Sequence, residues 1–211
     1  MTRITVFGAT GGTGKQVVEQ ALAEGYEVVA FLRDPSKLDI RHDSLTVVQG
    51  ELSDRALIED AIRGADVVLS ALGPRGRSKN KAISQGMQNI VAAMKKLGTR
   101  RLIITSTLSA EDPGDRFDLR TQVMVSIVRV MMRGAYEDIV GVAKLVRASD
   151  LDWTIVRLAL LNNKPRTGRV KVGCVGGGEV GVAISRADVA DFMLKRIGDS
   201  KYLRQAPAIS N

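Results

Sequence analysis

The stretch Val6 to Gly14, Val-Phe-Gly-Ala-Thr-Gly-Gly-Thr-Gly, leaves a chain few ways to fold. An apolar run, Ile4 to Phe7, meets glycines at 8, 11, 12 and 14. A helical pattern follows at once, with Val17, Val18, Ala21 and Leu22 on one face. A strand that turns through glycines into a helix offers the unpartnered first amides of that helix, at the positive end of its dipole, to an anion. In this reading Gly8 makes the tight turn, Gly11 admits a diphosphate to the backbone, and Gly14 lets the helix pack against the strand. The spacing Gly-x-x-Gly-x-x-Gly is a variant of the dinucleotide fingerprint, and its place between strand and helix gives it weight. The bland alternative is a turn without a ligand, which seldom calls for so many glycines.

About 20 residues further on, the expected second strand, Glu27 to Leu32, ends at Arg33. An acidic residue there binds the 2′-hydroxyl of NAD, whereas an arginine accommodates the 2′-phosphate of NADP. The guanidinium fork suits a phosphate and can stack on adenine. Lys37 is placed to assist, and so is Ser36. Asp34 complicates the reading: it either repels the phosphate or turns away to open the turn Asp34-Pro35-Ser36. The cofactor expected on these grounds is NADP(H), preferred over NAD(H). A solvated surface charge is the plain alternative for Arg33.

Strands alternate with helices almost to the end of the chain. Strands are predicted at Ile4–Phe7, Val28–Leu32, Leu45–Val48, Val67–Ala71, Leu102–Thr105 and Thr154–Val156. Helices are predicted at Gly12–Glu24, Arg55–Ile62, Lys81–Leu97, Ala135–Ser149 and Arg186–Arg196. Gly25 and Gly98 read as helix stops, and Ser53-Asp54 and Ser185 as N-caps. The expected fold is α/β: a Rossmann-like, doubly wound parallel sheet forming a single domain over residues 1–211, with a short C-terminal extension. Ser109 to Arg120 reads as a loop over the cofactor rim, and Arg169 to Ile184 as a small added strand or hairpin. Ligands in such sheets lie beyond the carboxyl ends of the strands, so Glu51 and Leu52 are candidates to frame the adenine. Leu72, Gly73 and Ser106 follow later strands into the same crevice.

Composition narrows the rest. No apolar stretch approaches the length of a membrane span, and the N-terminus runs straight into a strand without room for a signal peptide. A lone Cys174 allows no internal disulfide and no metal cluster. The chain is therefore expected to be soluble and cytoplasmic, with no metal and no membrane partner. The net charge of +8 is scattered in small groups such as Arg75-Arg77-Lys79-Lys81 and Lys164-Arg166-Arg169-Lys171. One Trp and three Tyr are too few for a base-stacking surface, so nucleic acid is not the expected partner.

The sequence resembles the atypical short-chain dehydrogenases that bind NAD(P)H, and within them the biliverdin-IXβ reductase/flavin reductase group and bacterial NADH-flavin reductases. The likeness rests on Val6–Gly14, Leu32-Arg33-Asp34-Pro35-Ser36-Lys37, Gly86 to Met94, Thr105-Ser106, Lys144 to Leu151 and Pro165 to Gly168. It implies that Gly8, Thr10, Gly11, Gly12 and Thr13 cradle the pyrophosphate, that Arg33 meets the 2′-phosphate, and that Leu72 and Gly73 lie along the nicotinamide ribose. Ser106 matches a serine beside nicotinamide and substrate, and Lys144 falls where many relatives carry an active-site lysine. Two departures stand out. Val140 occupies the place of the usual tyrosine four residues before that lysine, and Leu160 the place of a histidine in biliverdin-IXβ reductase. Alcohol dehydrogenation needs a proton donor at the oxygen. Hydride transfer to a conjugated acceptor needs mainly two positioned rings. The expected activity is NADPH-dependent hydride transfer to a small planar acceptor such as a flavin or quinone, by a monomer or weak homo-oligomer. The alternative is a non-catalytic NADP-binding redox sensor or scaffold.

Overall fold

A computed structural model describes residues 1–73 and 82–211. The basic group Arg75-Arg77-Lys79-Lys81 lies outside the described residues. The chain runs β1 (Arg3–Phe7), α1 (Gly12–Ala23), β2 (Glu27–Leu32), β3 (Leu45–Gln49), α2 (Arg55–Ile62), β4 (Val67–Ser70) and α3 (Ala82–Leu97). It continues with β5 (Arg101–Thr107), α4 (Leu119–Met131), α5 (Arg133–Arg147), β6 (Asp152–Leu158) and β7 (Leu160–Asn162). The last elements are β8 (Lys171–Gly173), β9 (Ala183–Ser185), α6 (Arg186–Lys195) and β10 (Ala208–Ser210). The main sheet has the order β3-β2-β1-β4-β5-β6-β10-β8, parallel throughout except for β8, which runs antiparallel to β10. Its first six strands have the order of a doubly wound dinucleotide-binding sheet.

Alternation along each strand explains why both faces are covered. Ile4 and Val6 point with Val28, Ala30, Val67, Leu69 and Ile103 into a core closed by Val17, Val18, Ala21 and Leu22 of α1 and Val189, Ala190 and Met193 of α6. Phe7, Val29, Phe31, Val68, Leu102 and Ile104 point the other way, against Ile58 and Ile62 of α2, Met87 and Ile90 of α3, and Val142 and Val146 of α5. Asp54 and Ser185 cap α2 and α6 as expected, accepting from the amides of Leu57 and Asp188.

One region settles an open expectation and one departs from it. Of the two forms expected for the segment 169–184, the added strand beside the main sheet is the one present, not the hairpin. β8 joins the main sheet beside β10, and β9 pairs in parallel with β7. These strands are three residues long, so their partners are set by tertiary packing rather than by local turn chemistry. The loop after β5 is followed by a helix, α4, that the sequence pattern did not indicate.

Candidate functional site

The glycine turn is tight for identifiable reasons. Gly8 has φ +84°, and a Cβ there would stand 2.8 Å from the carbonyl carbon and oxygen of Ala71, where β4 leaves the sheet. Gly14 faces Gly8 across the turn, and a Cβ on it would lie 2.1 Å from the Gly8 oxygen. The same oxygen accepts from the Gly11 amide at 3.0 Å. Helix α1 therefore begins directly over the end of β1. Gly11 is its N-cap and gives no side-chain cap, and the first turn carries no acidic residue. Thr13 is buried in that turn, while Thr10 and Gly11 are half-buried and Gly12 is exposed.

At the end of β2, Arg33 is exposed and makes no ion pair among the described residues; its carbonyl accepts from Gln49 Nε2. Asp34 turns away into its own short turn. Its carboxylate accepts from the Ser36 hydroxyl at 2.6 Å and the Ser36 amide at 3.1 Å, and pairs with Lys37 at 3.0 Å. Those bonds, the Ser36 hydroxyl first, hold the Asp34 carboxyl below its ordinary pKa. The acid beside Arg33 is thus already matched, and Lys37 is its partner. Glu51 is exposed past β3, and Leu52 packs on α3, where a Cβ at Gly86 would meet it at 2.7 Å.

At the carboxyl ends of β4 and β5 a small cavity opens between sheet and helices, lined by Ser70, Leu72, Met87, Ser106, Ile139 and Val142 among others. Gly73 is the exposed residue that follows Leu72. Ser106 is 7% exposed, and its hydroxyl has no hydrogen-bond partner among the described residues. A buried hydroxyl without a partner is costly, so one that lines a cavity at this edge of the sheet points to a ligand that completes it. Lys144 is not brought to that cavity. It is exposed on α5, about 200° around the helix from Val142, which does line the cavity. Tyr136 is half-buried near the start of α5, and Leu160 is exposed on β7. His42 is exposed, and its Nδ1 accepts from the Ser44 amide.

Two features escaped the sequence. Arg186, the first residue of α6, lies against the glycine turn: a Cβ on Gly12 would stand 2.8 Å from its Cδ and Nε. Its guanidinium donates to Asn163 Oδ1 at 2.7 Å and has no carboxylate partner among the described residues. A cation beside an uncapped helix N-terminus is electrostatically poor unless an anion joins them. The second is Arg157 on β6, in register with Ser106, whose buried guanidinium holds Asp115 in the loop after β5. Burial works against the charged form of Asp115. Hydrogen bonds from Arg157 and from the amides of Asp112 and Val175, with the charge of Arg157, still hold its pKa below the ordinary value. Neither contact has a local signature, because each joins residues far apart in the chain.

The open α1 terminus, the unmatched Arg33 and Arg186, and the glycine cradle together fit a dinucleotide diphosphate. The sequence pattern of the NAD(P)H-binding family matches residues 8–200, and the chain belongs to that family. The resemblance read from the motifs is thereby borne out. A Streptomyces griseus protein named (4-alkanoyl-5-oxo-2,5-dihydrofuran-3-yl)methyl phosphate reductase is 31% identical over 154 residues, which is 73% of this chain and 46% of that protein. A Veillonella parvula short-chain dehydrogenase/reductase solved with NADP superposes with a TM-score of 0.82 at 20% identity, covering 100% of this chain and 94% of that one. ChuY of Escherichia coli O157:H7, described as an anaerobilin reductase, superposes with a TM-score of 0.79 at 22% identity, covering 99% and 97%. These two structural likenesses establish the Rossmann-like fold. The chain spans less than half the length of several curated relatives it matches, 12% for mycobacterial proteins of 34% identity.

Proposed function

We propose that the chain is an NADPH-dependent oxidoreductase that reduces a flavin, quinone or similar conjugated acceptor in the cytoplasm, with residues 1–211 acting as one domain. The observation that carries this reading is the buried Ser106 hydroxyl, without a partner among the described residues, in a small cavity beside Leu72, at the edge of the sheet where the nicotinamide end of a dinucleotide belongs. When bound, NADPH supplies a hydride, and a conjugated acceptor takes it without a dedicated acid at a carbonyl oxygen. The protein's part is positional. Gly8, Thr10, Gly11, Gly12 and Thr13 would hold the diphosphate at the α1 amides. Arg33 would take the 2′-phosphate, and Glu51 and Leu52 would frame the adenine. Leu72 and Gly73 would lie along the ribose, and Ser106 would donate its proton in a hydrogen bond to the acceptor or the carboxamide. Lys37, paired with Asp34, would support Arg33 rather than contact the phosphate directly. Lys144 is given no chemical role, because it stays outside the cavity.

Reductase names among the relatives agree with this reading. The test is NADPH oxidation followed with free flavin, quinones and linear tetrapyrroles, with NADH in parallel. Turnover of at least one acceptor, faster with NADPH, is expected; no turnover above background with any would overturn it. A monomer or weak homo-oligomer suffices, since every proposed contact comes from one chain. The second reading, a non-catalytic NADP sensor, draws on Val140 in place of tyrosine and on the exposed Lys144. It is supported if NADPH and NADP⁺ bind with clearly different affinity and no acceptor is reduced.

A further inference from the structure

Exposed apolar residues are not spread evenly over this protein. Of the thirteen large hydrophobic residues exposed among the described ones, seven fall between positions 117 and 132. At 100° per residue, Leu119, Val123, Ile127 and Val130 share an arc of about 80° on α4. They are half or more exposed, and Phe117 just before the helix and Val130 near its end are each 81% exposed. Val125, on the other side of the helix, is half-buried, and α5 is the one element against which α4 makes a substantial contact. The outer stripe is therefore a second apolar face without a partner in the described chain. Scattered surface hydrophobics need no explanation, but a contiguous stripe does.

The charges on the segment select the partner. Within α4 the sequence holds Arg120 and Arg129 and no acidic residue, in a chain of net charge +8; Asp118 precedes the helix, and Arg133, which opens α5, pairs with Glu137. Two copies meeting through this stripe would set α4 against α4, neither with a carboxylate of its own, between two chains that each carry a net charge of +8. An apolar stripe on a helix whose charges are all basic is the pattern of a helix lying in the plane of an anionic bilayer surface. Such a helix inserts one face and needs no spanning length, and no helix of the described residues is long and apolar enough to cross a membrane. The sequence-level expectation of no membrane partner considered spanning stretches, and α4 was not foreseen as a helix. We propose that the exposed face of α4, with Phe117, docks this protein on the surface of an anionic lipid membrane.

The test is co-sedimentation of the full chain with vesicles of phosphatidylcholine alone and of phosphatidylcholine mixed with phosphatidylglycerol. Binding is expected to the phosphatidylglycerol vesicles, to weaken as salt rises, and to fall at least about tenfold in the double variant Ile127→Glu, Val130→Glu. Both side chains are exposed, and circular dichroism checks that the variant folds. If it does not, the milder Val130→Ser carries the comparison. The proposal is overturned by no vesicle binding, by equal binding to both vesicle types, or by a folded variant that binds like the parent chain. A lipid-free dimer that either folded variant dissolves would also overturn it, assigning the stripe to a second copy.

Discussion

Arg157 and Asp115 form a doubly hydrogen-bonded ion pair, Nη1 to Oδ2 at 2.5 Å and Nη2 to Oδ1 at 2.8 Å, with the arginine side chain 1% exposed. The same guanidinium donates to the carbonyls of Ala206 and Ala110, and Asp115 accepts from the Val175 amide. One arginine thus ties the loop after β5 to β6, to the turn after β8 and to the C-terminal segment. Removing one member of a buried pair strands the other charge. Asp115→Ala is expected to lower the unfolding free energy by about 3 kcal/mol in urea titrations. A loss within the scatter of neutral surface changes, about 0.5 kcal/mol, would show that the loop does not depend on the pair.

Acid should report the same contact. The folded pKa of Asp115 lies below its unfolded value, so its ionisation contributes stability above the unfolded pKa, and that contribution is lost as pH falls through the folded one. Below about pH 4 the parent chain is therefore expected to lose stability more steeply than Asp115→Asn. Parallel acid limbs for the two proteins would contradict this.

Gly14→Ala places a methyl group against the backbone oxygen of Gly8, at 2.1 Å, where no side chain can move aside. The variant is expected to lose about 2 kcal/mol or more of stability, together with cofactor binding. Gly25→Ala is not an equal control, because Gly25 has φ +83°. Gly73→Ala, with open space around the added atom, serves better for stability. Thermal melts and calorimetric titration would decide the comparison.

Arg33 and Arg186 should separate by cofactor. Arg33→Glu is expected to weaken NADPH about tenfold or more while leaving NADH close to unchanged, because it removes a charged partner of the 2′-phosphate alone. Arg186→Ala is expected to weaken both cofactors by a similar factor, since the diphosphate beside Gly12 is common to them. Equal losses for Arg33→Glu, or a selective loss for Arg186→Ala, would reverse these assignments.

Ser106→Ala is expected to lower turnover with little change in cofactor affinity, and to leave stability intact or raise it, because the hydroxyl it deletes has no partner among the described residues. Lys144→Ala should leave kcat within about twofold, as suits an exposed side chain away from the cavity. Steady-state kinetics beside melting curves test both. A collapse of kcat in Lys144→Ala would return that lysine to the chemistry.

The fold was largely legible because its signals are local. Fully buried parallel strands read as unbroken apolar runs, and the glycine turn fixed where the first helix begins. The loop identity of Arg33 followed from counting residues after that turn. What stayed hidden depends on distance or on weak propensity. Helix α4 runs Thr-Gln-Val-Met-Val-Ser-Ile-Val-Arg-Val, rich in β-branched residues, with two apolar faces rather than one, so its pattern favours neither period. The approach of Arg186 to Gly12 joins positions 174 residues apart, and the three-residue strands β7 to β10 carry too little pattern to announce a partner. Lys144 lies at the motif position along the sequence and is exposed on α5. The same helix presents Ile139 and Val142 to the cavity.

The placement of β10 between β6 and β8 has a consequence for how the molecule is made. Residues 171–173 are synthesised well before 208–210, yet the latter provide their sole ladder in the main sheet. A nascent chain that has emerged only through α6 can hold β1 to β6 in order, but β8 must wait unzipped for the last strand to arrive. Completion of the main sheet therefore includes a closing step at this edge, expected as a gain of amide protection at residues 171–173 that follows the arrival of β10.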